Sequence, residues 1–348
     1  MQKKITIKSI FKNYTIEFRN NIQFKQKKNC IYIIDKKFYA KNHNELVFLK
    51  NKILLSANEK QKSFENLTVI IKKILKFSIN RKTEIICIGG GITQDIVSFL
   101  SSILLRGINW IFYPTTLLSQ ADSCIGGKTS INFLGTKNQI GNFYPPKKII
   151  INVNFLNTLN QNQIISGIGE MAHYFLFASN EEYLFFKKKI NSLLLRNNKD
   201  IRLCIQKCLK IKKQVIEKDE LDTGYRLLLN YGHTFGHAIE KYSNYDIPHG
   251  VAVAIGMNIS NYISYKLGYL EQKIFEDIHK NILFKVYKKI KFKNFDTKKF
   301  ITFLKSDKKN TEKQIVCILT RGPGKMFIYK FQKNDSHIKN LLMEYFKK

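Results

Sequence analysis

The sequence predicts an α/β N-terminal half built on a parallel sheet, followed by a mainly α-helical C-terminal half, with the boundary near Asn160. Three observations lead there. Short runs rich in β-branched and aromatic residues (NCIYIID, TEIICIG, NWIFYP, KKIIINV) alternate with stretches of helical periodicity, the pattern of βα units. One of these runs enters Gly89-Gly90-Gly91 directly, with a helix expected to start near Asp95. From Asn160 onward the periodicity is almost entirely helical: NQIISGIGEMAHYFLF, EEYLFFKKKINSLLL and DIRLCIQKCLKIKKQVIEKDE follow one another.

The elements read in order as follows. ITIKSI and YTIEF are short alternating strands, and NCIYIID is a buried strand with Asp35 at its carboxyl end. Asn44 to Lys52 reads as helix, Ile53 to Leu55 as strand, and the segment from Phe64 as helix; Glu59 and Lys62 at its entry read, taken alone, as surface charges. PTTLLSQADSCIGGKTSIN carries Thr115, Thr116, Asp122, Gly126, Gly127 and Lys128 on a polar segment. A GGK tripeptide suits a phosphate or carboxylate, because flexible peptides and an ammonium converge there. The tail reads as helix, loop and a final hairpin, with Lys308 and Lys309 as surface charges.

A length of 348 residues accommodates two cores. The formal charge of +33 invites a nucleic-acid reading, but only seven of the 59 basic residues are arginine and the lysines are spread along the chain. Abundant Lys, Asn, Ile, Phe and Tyr fit an A/T-rich coding sequence, so no nucleic-acid partner is expected. Against that bias the glycines are informative: none occurs before Gly89, and 15 of 18 lie between Gly89 and Gly256. Such residues mark positive φ, close approach to a ligand or a fixed turn. Six scattered cysteines without a CxxC pair, and no signal peptide, predict reduced thiols and a cytoplasmic location. No membrane association is expected, since the longest apolar run, Ile96 to Tyr113, is cut by Arg106.

The stretch LNYGHTFGHAIEKYSNYDIPHGVAVAIG concentrates the chemistry. His233 and His237 are four apart and share a helix face, and His249 arrives after a short loop. Imidazoles gathered in this way build a divalent-metal or proton-transfer site. Glu170 lies within an apolar helix, where an unpaired charge is costly and a metal ion is a natural partner. The strand–glycine–helix unit at Gly89–Gly91 offers uncapped N–H groups to a dinucleotide phosphate, although its spacing is not GxGxxG.

With these segments placed, the chain resembles the 3-dehydroquinate synthase family. GGGxxxD, RG, PTTLLxQxDSxxGGKT, KNxIGxFYxP, GxxE, DExxxGxRxLLNxGHTxGHAIE and HGxAVAIGM occur in order from Gly89 onward. The resemblance implies a Rossmann-like NAD-binding domain over residues 1–160 and a mainly helical metal- and substrate-binding domain over residues 161–348. It implies conversion of 3-deoxy-D-arabino-heptulosonate 7-phosphate to 3-dehydroquinate and phosphate, with NAD regenerated each turnover, in a homodimer. The implied metal ligands are Glu170, His233 and His249, usually on zinc, with cobalt as an alternative. His237 would then serve proton transfer and phosphate contact. Lys128, Lys137, Asn138, Lys212, Arg226, Asn230 and Asp122 would hold the substrate, helped by Arg106 from a neighbouring subunit. Asp35, Glu59, Lys62, Gly89, Gly90, Gly91, Asp95, Thr115, Thr116, Leu118 and Thr158 match NAD-binding positions, to which Asp122, Lys128 and Lys137 also contribute.

Four positions depart from the family pattern: His173, where lysine is usual and which is expected to face the substrate as a cation, Val251 for glutamate, and Gln94 and Asn58 for glycine. The competing functions are another NAD- and metal-dependent sugar-phosphate cyclase and a metal-dependent polyol dehydrogenase, the latter releasing NADH.

Overall fold

The computed structural model describes residues 4–292, 295–306 and 310–347. The chain separates into two compact units, Met1–Asn160 with Lys212–Glu220, and Gln161–Ile211 with Leu221–Lys348.

The first unit is built on a seven-stranded sheet of order β1-β2-β9-β6-β5-β3-β4. Its strands are β1 (Lys4–Ile7), β2 (Tyr14–Phe18), β3 (Cys30–Asp35), β4 (Lys52–Leu55), β5 (Glu84–Gly89), β6 (Asn109–Pro114) and β9 (Lys148–Ile151). All neighbours pair in parallel except β1 and β2. The central strands are buried on both faces, which is why they read as continuous apolar runs rather than alternating ones. A cluster including Phe24, Tyr32, Ile34, Ile88, Tyr113 and Phe155 fills one side. A small hairpin, β7 (Ile131–Phe133) with β8 (Thr136–Ile140), carries part of the polar segment. The helices of this unit are α1 (Lys36–Lys41), α2 (His43–Leu46), α3 (Phe64–Leu75) and α4 (Gly91–Ile103). Glu217 and Glu220 join the unit by accepting the backbone N–H groups of Lys8 and Ile10.

The second unit is mainly helical: α5 (Gln161–Ala178), α6 (Asn180–Leu194), α7 (Asn198–Lys218, through Ile211), α8 (His233–Tyr242), α9 (His249–Lys266), α10 (Gln272–Ile278), α11 (Phe284–Tyr287), α12 (Thr297–Lys305) and α13 (Ser336–Lys347). The antiparallel hairpin β10 (Gln314–Thr320) and β11 (Met326–Gln332) precedes α13. Cys204 and Cys208, four apart on α7, are both fully buried.

Three local readings change, and a fourth is not described. Helix α2 stops at Leu46, because Lys52 pairs with Tyr32 as the start of edge strand β4. Helix α4 begins at Gly91 rather than near Asp95, since the turn after β5 closes at once with Gly90 as its N-cap. The tail ends in α13, whose buried Ile338, Leu341 and Leu342 show the helical spacing that marks it. Lys308 and Lys309 lie outside the described residues.

The glycines of the second unit serve mostly the packing of helix on helix. A Cβ on Gly250 of α9 would lie 1.8 Å from the Ser166 carbonyl oxygen of α5, and one on Gly169 of α5 would lie 2.1 Å from the Gly250 oxygen. A Cβ on Gly256 would lie 1.9 Å from the oxygen of Gly232, the left-handed residue (φ +82°) that caps α8. We expect Gly250→Ala to destabilise the protein by about 3 kcal/mol or more, the upper end for overpacking, because backbone must move. Gly268→Ala, whose added Cβ meets nothing within 4 Å, carries only the strain of its φ of +76°, about 1 kcal/mol. Urea-unfolding midpoints compare the two, and equal midpoints would contradict the packing role.

Candidate functional site

In the second unit, three helices each deliver one donor to the same point. Glu170 stands mid-way along α5 and is 2% exposed. His233 opens α8 behind Gly232, and His249 opens α9 behind Pro248. Glu170 Oε1 lies 3.6 Å from His233 Nε2, and Oε2 lies 3.5 Å from His249 Nε2. The three ligand atoms all lie within 4.8 Å of one another. Bond lengths of about 2.0–2.1 Å in a tetrahedral arrangement put neighbouring donors roughly 3.3 Å apart, close to these separations.

The outer nitrogens of both rings have partners. His233 Nδ1 is 3.2 Å from the Tyr231 carbonyl oxygen, and His249 Nδ1 is 3.1 Å from Glu240 Oε2. A carbonyl and a carboxylate only accept, so each Nδ1 carries the proton. In the neutral ring each Nε2 then presents its lone pair toward Glu170. Three such acceptors converging on one point could hold a cation, and outer partners of this kind orient imidazoles toward a metal. The donor chemistry therefore fits zinc or cobalt.

His237, one turn after His233, places its ring 5.7 Å from that of His233 and 6.0 Å from that of His249. It belongs to a second set of converging donors with Glu240 and His249. His173 is 1% exposed, with Nδ1 4.0 Å from Glu170 Oε1 and its ring against Tyr174 and His233. His173 is thus enclosed within the carboxylate–imidazole cluster. Val251 is buried on α9. Arg226, buried, and Asn230, half-buried, lie on a 3-10 turn over Tyr225–Asn230 that runs into the histidine helix.

In the first unit, register does the placing. Gly89 pairs with Pro114, so the turns after β5 and β6 emerge side by side, and Thr115 N–H donates to the Gly89 carbonyl at 2.9 Å. A Cβ on Gly89 would lie 2.5 Å from Thr93 Oγ1, and one on Gly90 would lie 2.8 Å from Thr116 Cγ2; Gly91 has its nearest neighbour at 3.8 Å. No side chain caps the amino end of α4, which leaves a surface of backbone N–H groups suited to a pyrophosphate.

Around this turn the charged candidates form one network. Lys62 Nζ is 2.5 Å from Asp95 Oδ2 and donates to Asn138 Oδ1 at 2.7 Å. Lys137 pairs with Glu59 at 3.3 Å, and Asn132 donates to Glu59 Oε2 at 2.8 Å. Lys62 is 5% exposed, so it is not the surface charge its local sequence suggests: the hairpin β7–β8, which sequence reasoning missed, covers it. Burial pushes the Asp95 carboxyl up to about 6 against the opposing pull of the Lys62 ammonium. Thr116 Oγ1 and Ser119 Oγ share a hydrogen bond of 2.7 Å beside Leu118, at the start of the wide turn Ser119–Ser123. Lys212 Nζ donates to both the carboxylate (2.6 Å) and the carbonyl (2.8 Å) of Asp122.

The remaining candidates stand as follows. Asp35 Oδ1 caps α1 through the N–H groups of Lys37 and Phe38, at 2.8 and 3.0 Å. Thr158 lines a polar cavity of about 530 Å³ with Lys41, Asn42 and Asn152. Lys128 is exposed in a bridge to Phe143, and Arg106 is exposed with a φ of +64°. Asn58 Oδ1 accepts the Gln61 N–H at 3.0 Å, closing the turn that carries Glu59. Sequence reasoning missed Glu240, although HxxxHxxE places it on the histidine face, and Tyr231, which acts through a backbone carbonyl that leaves no residue-type signal.

Residues 52–166 match the family model described as 3-dehydroquinate synthase N-terminal, and residues 167–310 match the one described as 3-dehydroquinate synthase C-terminal. The 3-dehydroquinate synthase of Dictyoglomus turgidum is 37% identical over 322 residues, covering 92% of this chain and 90% of that protein. That of Pelagibacter ubique is 36% identical over 337 residues, covering 93% and 90%. Among solved structures, 2-deoxy-scyllo-inosose synthase complexed with carbaglucose-6-phosphate, NAD+ and Co2+ superposes with a TM-score of 0.86 at 24% identity, covering 98% of this chain and 99% of that one. The 2-epi-5-epi-valiolone synthase of Streptomyces hygroscopicus, with NAD+ and Zn2+ bound, gives 0.85 at 18% identity, covering 96% of each chain. These two share the fold, and the sequence relatives carry the assignment: the chain belongs to the 3-dehydroquinate synthase family.

Proposed function

We propose that the chain converts 3-deoxy-D-arabino-heptulosonate 7-phosphate to 3-dehydroquinate and phosphate, with the two-domain division of labour at residue 160 that the sequence suggests. The observation that carries the reading is the set Glu170, His233 and His249 with both outer nitrogens tied. When bound, the metal would supply Lewis-acid polarisation of a substrate hydroxyl, and NAD would supply reversible hydride chemistry.

The chain's own residues do the rest. Glu170, His233 and His249 hold the metal, and Glu240 with the Tyr231 carbonyl keeps each Nε2 unprotonated toward it. His237, beside this set but outside it, moves a proton and contacts the phosphate. Gly89–Gly91 and the uncapped start of α4 take the pyrophosphate, with Asp35, Glu59, Lys62, Asp95, Thr115, Thr116, Leu118 and Thr158 around the rest of NAD. Asp122, Lys128, Lys137, Asn138, Lys212, Arg226 and Asn230 orient the substrate's carboxylate, hydroxyls and phosphate. Arg106, exposed in the chain, supplies a further cation to the second subunit of a homodimer. The burial of all six cysteines is in keeping with reduced thiols and a cytoplasmic enzyme.

Two outcomes test this. Phosphate release from the heptulosonate phosphate should require a divalent metal, stop with chelator, and proceed without accumulation of NADH. Stoichiometric NADH would point instead to a polyol dehydrogenase. Elemental analysis should find metal in the wild type and none in His249→Ala, while Glu240→Ala weakens metal affinity about 10–100-fold, the usual effect of losing an outer partner. Unchanged affinity in Glu240→Ala would show that the Nδ1 contact does not orient the ring.

A further inference from the structure

Gln94 stands where the family pattern has glycine, one residue before the Asp95 of the nucleotide cradle. Its side chain is buried, 6% exposed. Burying a primary amide is costly unless its polar atoms are satisfied. Here both are, by a single residue: Gln94 Nε2 donates to the Ser123 carbonyl at 2.7 Å, and Ser123 Oγ donates to Gln94 Oε1 at 2.7 Å. The two bonds close a ring, so the contact fixes orientation as well as distance.

The ends of this tie matter. Gln94 lies on the first turn of α4, its own N–H bonded to the carbonyl of the N-cap Gly90 at 3.0 Å. Ser123 is the last residue of the wide turn Ser119–Ser123, directly after Asp122, which holds Lys212 through two bonds. Ser123 Oγ is also the nearest group a Cβ on Gly91 would meet, at 3.8 Å. The neighbouring Asp95 is tied to Lys62. The amino end of α4 is thus fastened to two different segments by consecutive side chains.

We propose that Gln94 is a positioning residue, which locks Ser123 to the glycine turn and so holds the Asp122–Lys212 pair at a fixed place beside the nucleotide cradle. It acts through Ser123, since both its polar atoms are committed there. Its effect on turnover rests on the reading of Asp122 and Lys212 as substrate-orienting residues.

The test uses Gln94→Met, which keeps the length and loses both bonds, and Gln94→Glu, which keeps the volume and turns the donor into an acceptor facing the Ser123 carbonyl. Amide hydrogen exchange over residues 119–123, measured on the protein without NAD or metal, should be about tenfold faster in both, as the loss of two bonds implies. In the holoenzyme KM for the heptulosonate phosphate should rise about tenfold with kcat changed less than threefold. Ser123→Ala combined with Gln94→Met should cost less than the product of the two single effects. Exchange and KM like wild type, with only the melting temperature moved, would overturn the proposal and leave Gln94 a filler of space. Wild-type protein that releases no phosphate would defeat the functional reading, and the exchange measurement would still judge the tie.

Discussion

The contact on which the candidate centre depends is backbone against backbone, where helices of the second unit cross without side chains between them. Gly169 and Gly250 let α5 and α9 meet, and Gly232 and Gly256 do the same for α8 and α9. The approach is reinforced where the Gly250 N–H donates to Ser166 Oγ at 3.0 Å. Glycine inside a helix costs about 1 kcal/mol against alanine, so Gly169, Gly250 and Gly256 work against their own helices. What the arrangement gains is convergence: one carboxylate and two imidazoles, from three different helices, within 4.8 Å. With ordinary side chains at the crossings the axes would stand at the usual 8–10 Å or so.

Convergence creates an electrostatic demand. Glu170 is nearly inaccessible, and an ionised carboxylate there needs cationic or hydrogen-bonding company. The outer contacts of His233 and His249 hold their protons on the far nitrogens, so in the neutral rings the inner face consists of acceptors. A divalent cation satisfies all three groups at once. His173 is enclosed in the same cluster, and replacing a lysine there with an imidazole puts a shorter, aromatic group against Tyr174 and His233.

The first unit solves a different problem, that of holding an uncapped helix end open. Parallel pairing of β5 with β6 sets Gly89 beside Pro114 and brings Thr116 over Gly90. The end of α4 is then steadied from the side by Asp95 on Lys62 and Gln94 on Ser123, leaving its N–H groups free of side-chain caps.

Local chemistry fixed much of this in the sequence. Apolar runs located the parallel strands, the i, i+4 spacing put His233 and His237 on one helix, and glycine persistence against a lysine- and asparagine-rich background marked residues 89 to 256. Those signals are short-range, and so they survive in a linear reading. The purpose of the glycines was not legible: local φ does not explain Gly169, Gly250 or Gly256, and their need for hydrogen at Cα arises only from a helix distant in sequence. The same holds for Lys62, whose charge looks solvated until a hairpin about 70 residues later covers it, and for the Tyr231 carbonyl, present on every residue type. Sequence determined which groups were available and which face each would occupy; tertiary packing decided which met, because convergence depends on long-range backbone distances that no local pattern encodes.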